Sequence, residues 1–247
     1  MAFGSDRKYM TSAQADAAQI DVGLRQYMLK VYNMMALGLG LTGLVALLVA
    51  NNPAIFSLFF QRGASGAIGP NLLGWVALLA PVGLALWLSF RIHAMRASSA
   101  ATMFYVYAGL MGISLSMYLQ IYTGVSVART FFITASAFAG LSLWGYVTKK
   151  DLSGFGSFLI MGLWGLIIAS LVNIFLQSSM MDFVISAVGV LLFAGLTAYD
   201  TQKIKEMYFE ADDGETASKK AIFGALTLYL DFINLFIYLL RFLGDRR

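Results

Sequence analysis

Seven apolar runs separated by short polar connectors account for most of this chain. They fall at about 27–50, 71–92, 99–120, 127–147, 154–176, 182–208 and 221–241, each near the roughly 20 residues that carry an α-helix across about 30 Å of hydrocarbon. The connectors have turn or charge character: Asn51-Asn52-Pro53, Gly69-Pro70-Asn71, residues 91–96, Thr123-Gly124, Lys149-Lys150-Asp151 and Asp212-Asp213-Gly214. The pattern predicts an all-α integral membrane protein, with residues 26–247 forming a seven-helix transmembrane domain and residues 1–25 a polar N-terminal tail. The first outer connector, about 51–70, contains the apolar stretch Ile55 to Phe60 and is expected to lie along the membrane interface.

Composition supports lipid as the solvent. With 59% hydrophobic residues, 12% charged residues and a mean hydropathy of +0.74, a water-soluble fold of this length would be hard to solvate. There is no cysteine, which excludes disulfides, thiol catalysis and thiolate metal sites; the single histidine, His93, excludes a two-histidine zinc motif. The net charge of +4 does not point to nucleic acid, because the basic residues stand at the ends of apolar segments, where they set topology. A cytoplasmic N-terminus places Arg7, Lys8, Arg25, Lys30, Arg91, Arg96, Lys149, Lys150, Lys203, Lys205, Lys219 and Lys220 on that side, and leaves Arg62 and Arg129 in outer loops. The tail residues Arg241, Arg246 and Arg247 then fall outside, against the rule. Seven full crossings are preferred, with a re-entrant last segment as the alternative. The N-terminal tail lacks the apolar core of a signal peptide.

Small residues recur inside the segments, at Gly38, Gly40 and Gly43, at Gly109 and Gly112, and at Gly162 and Gly165. Their spacing predicts close helix packing.

Most acids lie in tails and loops, and Asp182 suits a helix start. Two do not fit this description: Asp200 follows the apolar run from Phe183 to Tyr199, and Asp231 stands in the middle of Ile222 to Leu240. An intramembrane carboxylate costs at least about 2.5–3.5 kcal/mol on insertion scales, so it faces a bundle interior, a partner or a water-filled path. If the last two segments form an antiparallel hairpin turning near Asp212 to Glu215, the two carboxyls sit at one depth, roughly 10–15 Å in from the ends of their helices. Thr227, Asn234, Tyr238 and Arg241 continue from Asp231 at helical spacing and draw one polar stripe along the last segment. Two such carboxyls resist joint ionisation and are expected to share a proton near neutral pH. When both ionise they repel, and offer a poor, transient site for Ca²⁺. The plainer alternative is a helix fastener, a carboxyl–carboxylate bond or salt bridges to Arg91, Arg96 or Arg241. No set of nucleophile, base and orienting residue can be assembled, so no enzymatic activity and no cofactor are expected.

The run Ala198-Tyr199-Asp200-Thr201-Gln202-Lys203-Ile204, together with residues 226–244 (LTLYLDFINLFIYLLRFLG) and the first segment from Tyr27 to Leu44, resembles the bacterial branch of the transmembrane Bax inhibitor motif family. The resemblance implies six helices around a central seventh, with Asp200 and Asp231 as a pH-responsive latch over a Ca²⁺ leak. It also implies a multi-pass protein of the bacterial inner membrane. Another bacterial branch is tied instead to modulating a membrane-bound ATP-dependent protease, which makes a non-transporting partner acting through the N-terminal tail the competing expectation. In some relatives an arginine ending the second helix joins the latch. Arg91 and Arg96 are the candidates here, although Ala94 is closest in register, and Leu72 to Phe90 carries no acid where some relatives have one.

Overall fold

The computed structural model describes residues 12–63 and 68–247, with side chains from Val22 onward apart from His93. Residues 1–11 of the expected tail and the His93 side chain therefore lie outside the described residues. The chain forms α1 (Ser12–Asn51), α2 (Pro53–Phe59), a hairpin of β1 (Phe60–Arg62) and β2 (Ile68–Pro70), then α3 (Leu72–Arg91), α4 (Ala97–Ile121), α5 (Gly124–Val147), α6 (Ser153–Leu176), α7 (Ser179–Glu206) and α8 (Gly214–Leu243). Among the described residues seven of these helices are long and apolar enough to cross a membrane, and the protein is an all-α membrane bundle. The first connector is more structured than its sequence suggests. Its apolar stretch is the short helix α2, followed by an antiparallel hairpin pairing Phe60 with Pro70.

The helices begin where the connectors supply an acceptor for otherwise unpaired N–H groups. Asn52, Asn71, Thr123, Ser178 and Asp213 cap α2, α3, α5, α7 and α8 through their side chains. Large apolar side chains point outward: Leu72, Phe90 and Phe175 are each more than 80% exposed. Exposure on that scale is stable only against lipid.

α8 is the exception. Two-thirds (67%) of its apolar window is buried, against 11% for α6, and it packs on α1, α4, α5 and α7. It is the buried axis of the bundle, as the resemblance implied.

The glycines divide. A Cβ at Gly112 would stand 2.7 Å from the Thr42 carbonyl oxygen, one at Gly38 would meet the Phe104 ring at 2.7 Å, and one at Gly162 would meet Leu192 at 2.8 Å, so these positions allow close helix approach. Gly40, Gly43, Gly109 and Gly165 face open space instead.

The two ends of the bundle differ. At one end the lysine-rich connectors are tied together. The Gln202 Oε1 accepts from Leu152 N (2.9 Å) while its Nε2 donates to Lys150 O (2.8 Å), and the Glu215 carboxylate accepts from Ala97 N (2.6 Å) at the start of α4. At the other end the C-terminal tail is pinned to the α4–α5 connector: Thr123 N donates to Asp245 O (3.0 Å), Arg247 N to Ile121 O (2.9 Å) and Asp245 N to Ser126 Oγ (2.9 Å). α8 therefore runs unbroken from one end to the other, and the re-entrant alternative is excluded.

Candidate functional site

The site forms where α7 and α8 pack side by side. Asp200 and Asp231 are in mutual hydrogen-bond contact. Asp231 is only 4% exposed, and its Oδ2 has no hydrogen-bond partner; Asp200 is half-buried. A carboxylate has no donor of its own, so a direct carboxyl–carboxyl bond requires one proton between them. Lys203, one turn further along α7, is the cation that acts on Asp200. Arg91 and Arg96 are exposed and form no ion pair among the described residues, so the structure brings neither to the aspartates.

The equal depth of the two carboxyls is reached by a different hairpin geometry from the one the spacing suggested. α7 ends at Glu206, so Asp200 lies roughly 9 Å from its end, whereas Asp231 lies roughly 26 Å from the start of α8 at Gly214. The connector climbs to a helix that overhangs its neighbour. That overhang is polar, carrying Glu215, Lys219 and Lys220, and it places Glu215 on the α4 N-terminus and Ser218 within 2.8 Å of Lys30 Nζ. Lys220 pairs with Asp212 at 2.5 Å across the turn. Asp213, the α8 cap, is held below the usual carboxylate range by the hydrogen bonds it accepts at Thr216.

Beside the pair runs a chain of hydroxyls. Thr201 Oγ1 donates to Thr197 O (2.7 Å), which leaves its oxygen to accept from Ser142 Oγ (2.9 Å), which in turn accepts from Tyr32 OH (2.7 Å). This chain links α1, α5 and α7 one residue from Asp200. A second junction joins α1, α4 and α8. Thr42 donates to a carbonyl of α1 or α4, Gly38 O or Ala108 O, and so accepts from Tyr229 OH at 2.6 Å.

The polar stripe on α8 has mixed fates. Thr227 and Asn234 are half-buried and turn back onto their own helix, donating to Phe223 O and Leu230 O. Tyr238 stacks on Phe193 (5.7 Å) over Gly189 and bonds Ser170 of α6. Arg241 closes the stripe in an ion pair with Asp182, whose second oxygen stands 3.9 Å from Arg246. The expected capping role of Asp182 falls to Ser178, which accepts from Met181 N; the helix starts earlier than the apolar run, and Asp182 is left free in the first turn to meet α8. The arginine of the stripe thus serves Asp182 and not the aspartate pair.

Sequence reasoning passed over Tyr32, Ser142, Thr42, Tyr229 and Gln202. Each is an ordinary residue in its own segment, and only the partner from a distant helix gives it meaning. The acidic Asp182 and the basic Arg241 at opposite ends of the last two segments were the one available signal.

Comparison with known proteins accords with these elements. The family described as "Inhibitor of apoptosis-promoting Bax1" matches residues 24–247. The chain is 52% identical to an uncharacterised protein of Rickettsia prowazekii over 92% of both chains, and 47% identical to an uncharacterised protein of Caulobacter vibrioides over 98% of both. It is 44% identical to the inner membrane protein YbhL of Escherichia coli, over 91% of this chain and 94% of that one.

Proposed function

The chain belongs to the Bax inhibitor family, and from that premise we propose that it is a pH-sensitive ion-leak channel of the bacterial inner membrane, with Ca²⁺ as the permeant ion. The observation that supports this reading is the contact of two intramembrane carboxyls, Asp200 and Asp231, with no arginine paired to either among the described residues. A fastener would be served better by a cation opposite each acid, and Lys203 acts only on Asp200. The inner-membrane location is carried over from the Escherichia coli inner membrane protein YbhL.

The proton between the carboxyls holds α8 against α7. As pH rises and the proton leaves, two like charges face each other in a medium of low polarity, and the helices loosen at that level. The same event provides hard oxygens for a divalent cation. Two carboxylates carry four oxygens against the six to eight that Ca²⁺ prefers, which suits passage and not storage. From the pair, Asn234, Tyr238 and Arg241 lead roughly 15 Å along α8 toward the opposite end.

The test is Ca²⁺ influx into liposomes that contain an indicator dye and the purified protein, from about pH 5 to about pH 8, for the wild type, Asp200→Asn and Asp231→Asn. Influx that rises with pH in the wild type and is flat in both variants supports the gate. No influx above protein-free liposomes at any pH overturns the channel reading.

A further inference from the structure

A lateral groove separates α1 from α5. Both helices pack on α8 but not closely on each other, and the gap between them opens to the surrounding membrane. Its wall on α1 is the helical stripe Arg25, Leu29, Tyr32 and Ala36; on α5 it is Ala139 and Leu143, with Tyr146 at the end. The volume is about 530 Å³, within the range of roughly 300–1,000 Å³ typical of small-molecule sites. Its lining is apolar apart from the hydroxyls of Tyr32, Ser142 and Tyr146 and one charge, Arg25, at one end. Tyr32 and Ser142 bond each other, so their hydroxyls are already engaged. Arg25 is exposed and has no ion pair or hydrogen bond among the described residues.

We propose that this groove binds one acyl chain of an anionic phospholipid, with the lipid phosphate on Arg25. Length and charge both point to that occupant. Arg25 to Ala36 spans roughly 16 Å of helix, about half of the 30 Å hydrocarbon thickness, which is the depth of one leaflet. A free anion would find, besides Arg25, only the Tyr146 hydroxyl among the lining groups not already engaged with each other. The charge around the mouth is also positive: Lys149 and Lys150 follow the end of α5, and Lys205 donates to Tyr146 O (2.9 Å). Asp151, which follows Lys150, turns its carboxylate to Ser153 N (2.8 Å), and the acid nearest to Arg25 in sequence is Asp21, four residues earlier on α1. The inference is independent of ion conduction.

The experiment is native mass spectrometry of the full chain released from bilayers of equal phosphatidylglycerol and phosphatidylcholine. One retained phosphatidylglycerol per protein is expected, with a preference over phosphatidylcholine that falls roughly fivefold in Arg25→Gln. Ala139→Trp and, independently, Ala36→Trp should fill the groove and abolish retention of either lipid, with helicity by circular dichroism showing that each variant is folded. Equal retention of the two lipids by the wild type overturns the proposal. So does an Arg25→Gln protein that keeps its preference, retention that survives whichever tryptophan variant folds, or a dimer that both tryptophans disrupt in place of a bound lipid.

Discussion

The α7–α8 interface holds acids at two levels, and they are handled in opposite ways. Near the C-terminus of α8, Asp182 faces Arg241 and lies 3.9 Å from Arg246, so its charge is compensated by cations that stay charged at any physiological pH. Deeper in, Asp231 faces Asp200, and only a proton can reconcile them. In the proposed function the first contact is a clamp indifferent to pH and the second is one that pH breaks, about 15 Å apart along α8.

The strongest way to break this contrast is to give the inner site the chemistry of the outer one. Asp200→Arg should convert the acid pair into an ion pair and hold Ca²⁺ flux near its acidic value throughout, lowering it at alkaline pH about tenfold, the change that about 1.4 kcal/mol of lost repulsion gives. Flux that still climbs with pH in this variant would separate the pH response from the pair. Next in size, Arg241→Gln should weaken the clamp by about 1–2 kcal/mol in reversible unfolding, between an exposed pair and the roughly 3–5 kcal/mol of a broken buried one, because both partners are about a third exposed or less and Arg246 remains. Its flux should rise by a similar factor at every pH, leaving the midpoint in place. A shifted midpoint would mean that the two levels are one coupled unit.

Tyr32→Phe removes the first donor of the hydroxyl chain beside Asp200 and should cost about 1 kcal/mol, with a small change in the flux midpoint compared with either aspartate variant. The smallest effect is expected at Asp213. Its carboxyl is held below the ordinary range, so the cap on α8 is present above the unfolded-state pKa and is lost only as pH falls through the lower folded value. The protection of the Thr216 amide, its exchange rate relative to that of an unstructured chain at the same pH, should therefore hold through neutral pH and fall only in acid. Loss of protection near neutrality would make the cap, and not the pair, a source of pH dependence.

How far the sequence could be read follows from what kind of information each feature needs. The seven spans were legible because lipid demands about 20 apolar residues per crossing whatever the helix packs against. Asp200 and Asp231 stood out for the same reason: a charge inside such a run is anomalous by itself. Their approach to one level could be inferred from a hairpin, but the overhang of α8 and its contact with Ala97 could not, since the length of a helix beyond the membrane surface is unconstrained by hydropathy. The destination of Arg241 was equally hidden. On a helical wheel it belongs to the stripe of Asp231, and nothing in one helix states that a neighbour will present Asp182 at its last turn.

The sequence by itself determined the solvent, the number of crossings and the two acids that cannot be left alone in lipid, because each depends on transfer free energies summed along the chain. Tertiary structure alone decided which acid meets a cation and which meets another acid, which glycines touch a neighbour and which face open space, and that α1 and α5 stand apart. These depend on distances between helices far apart in the chain, set by how side chains of distant segments interlock, and that packing has no one-dimensional trace.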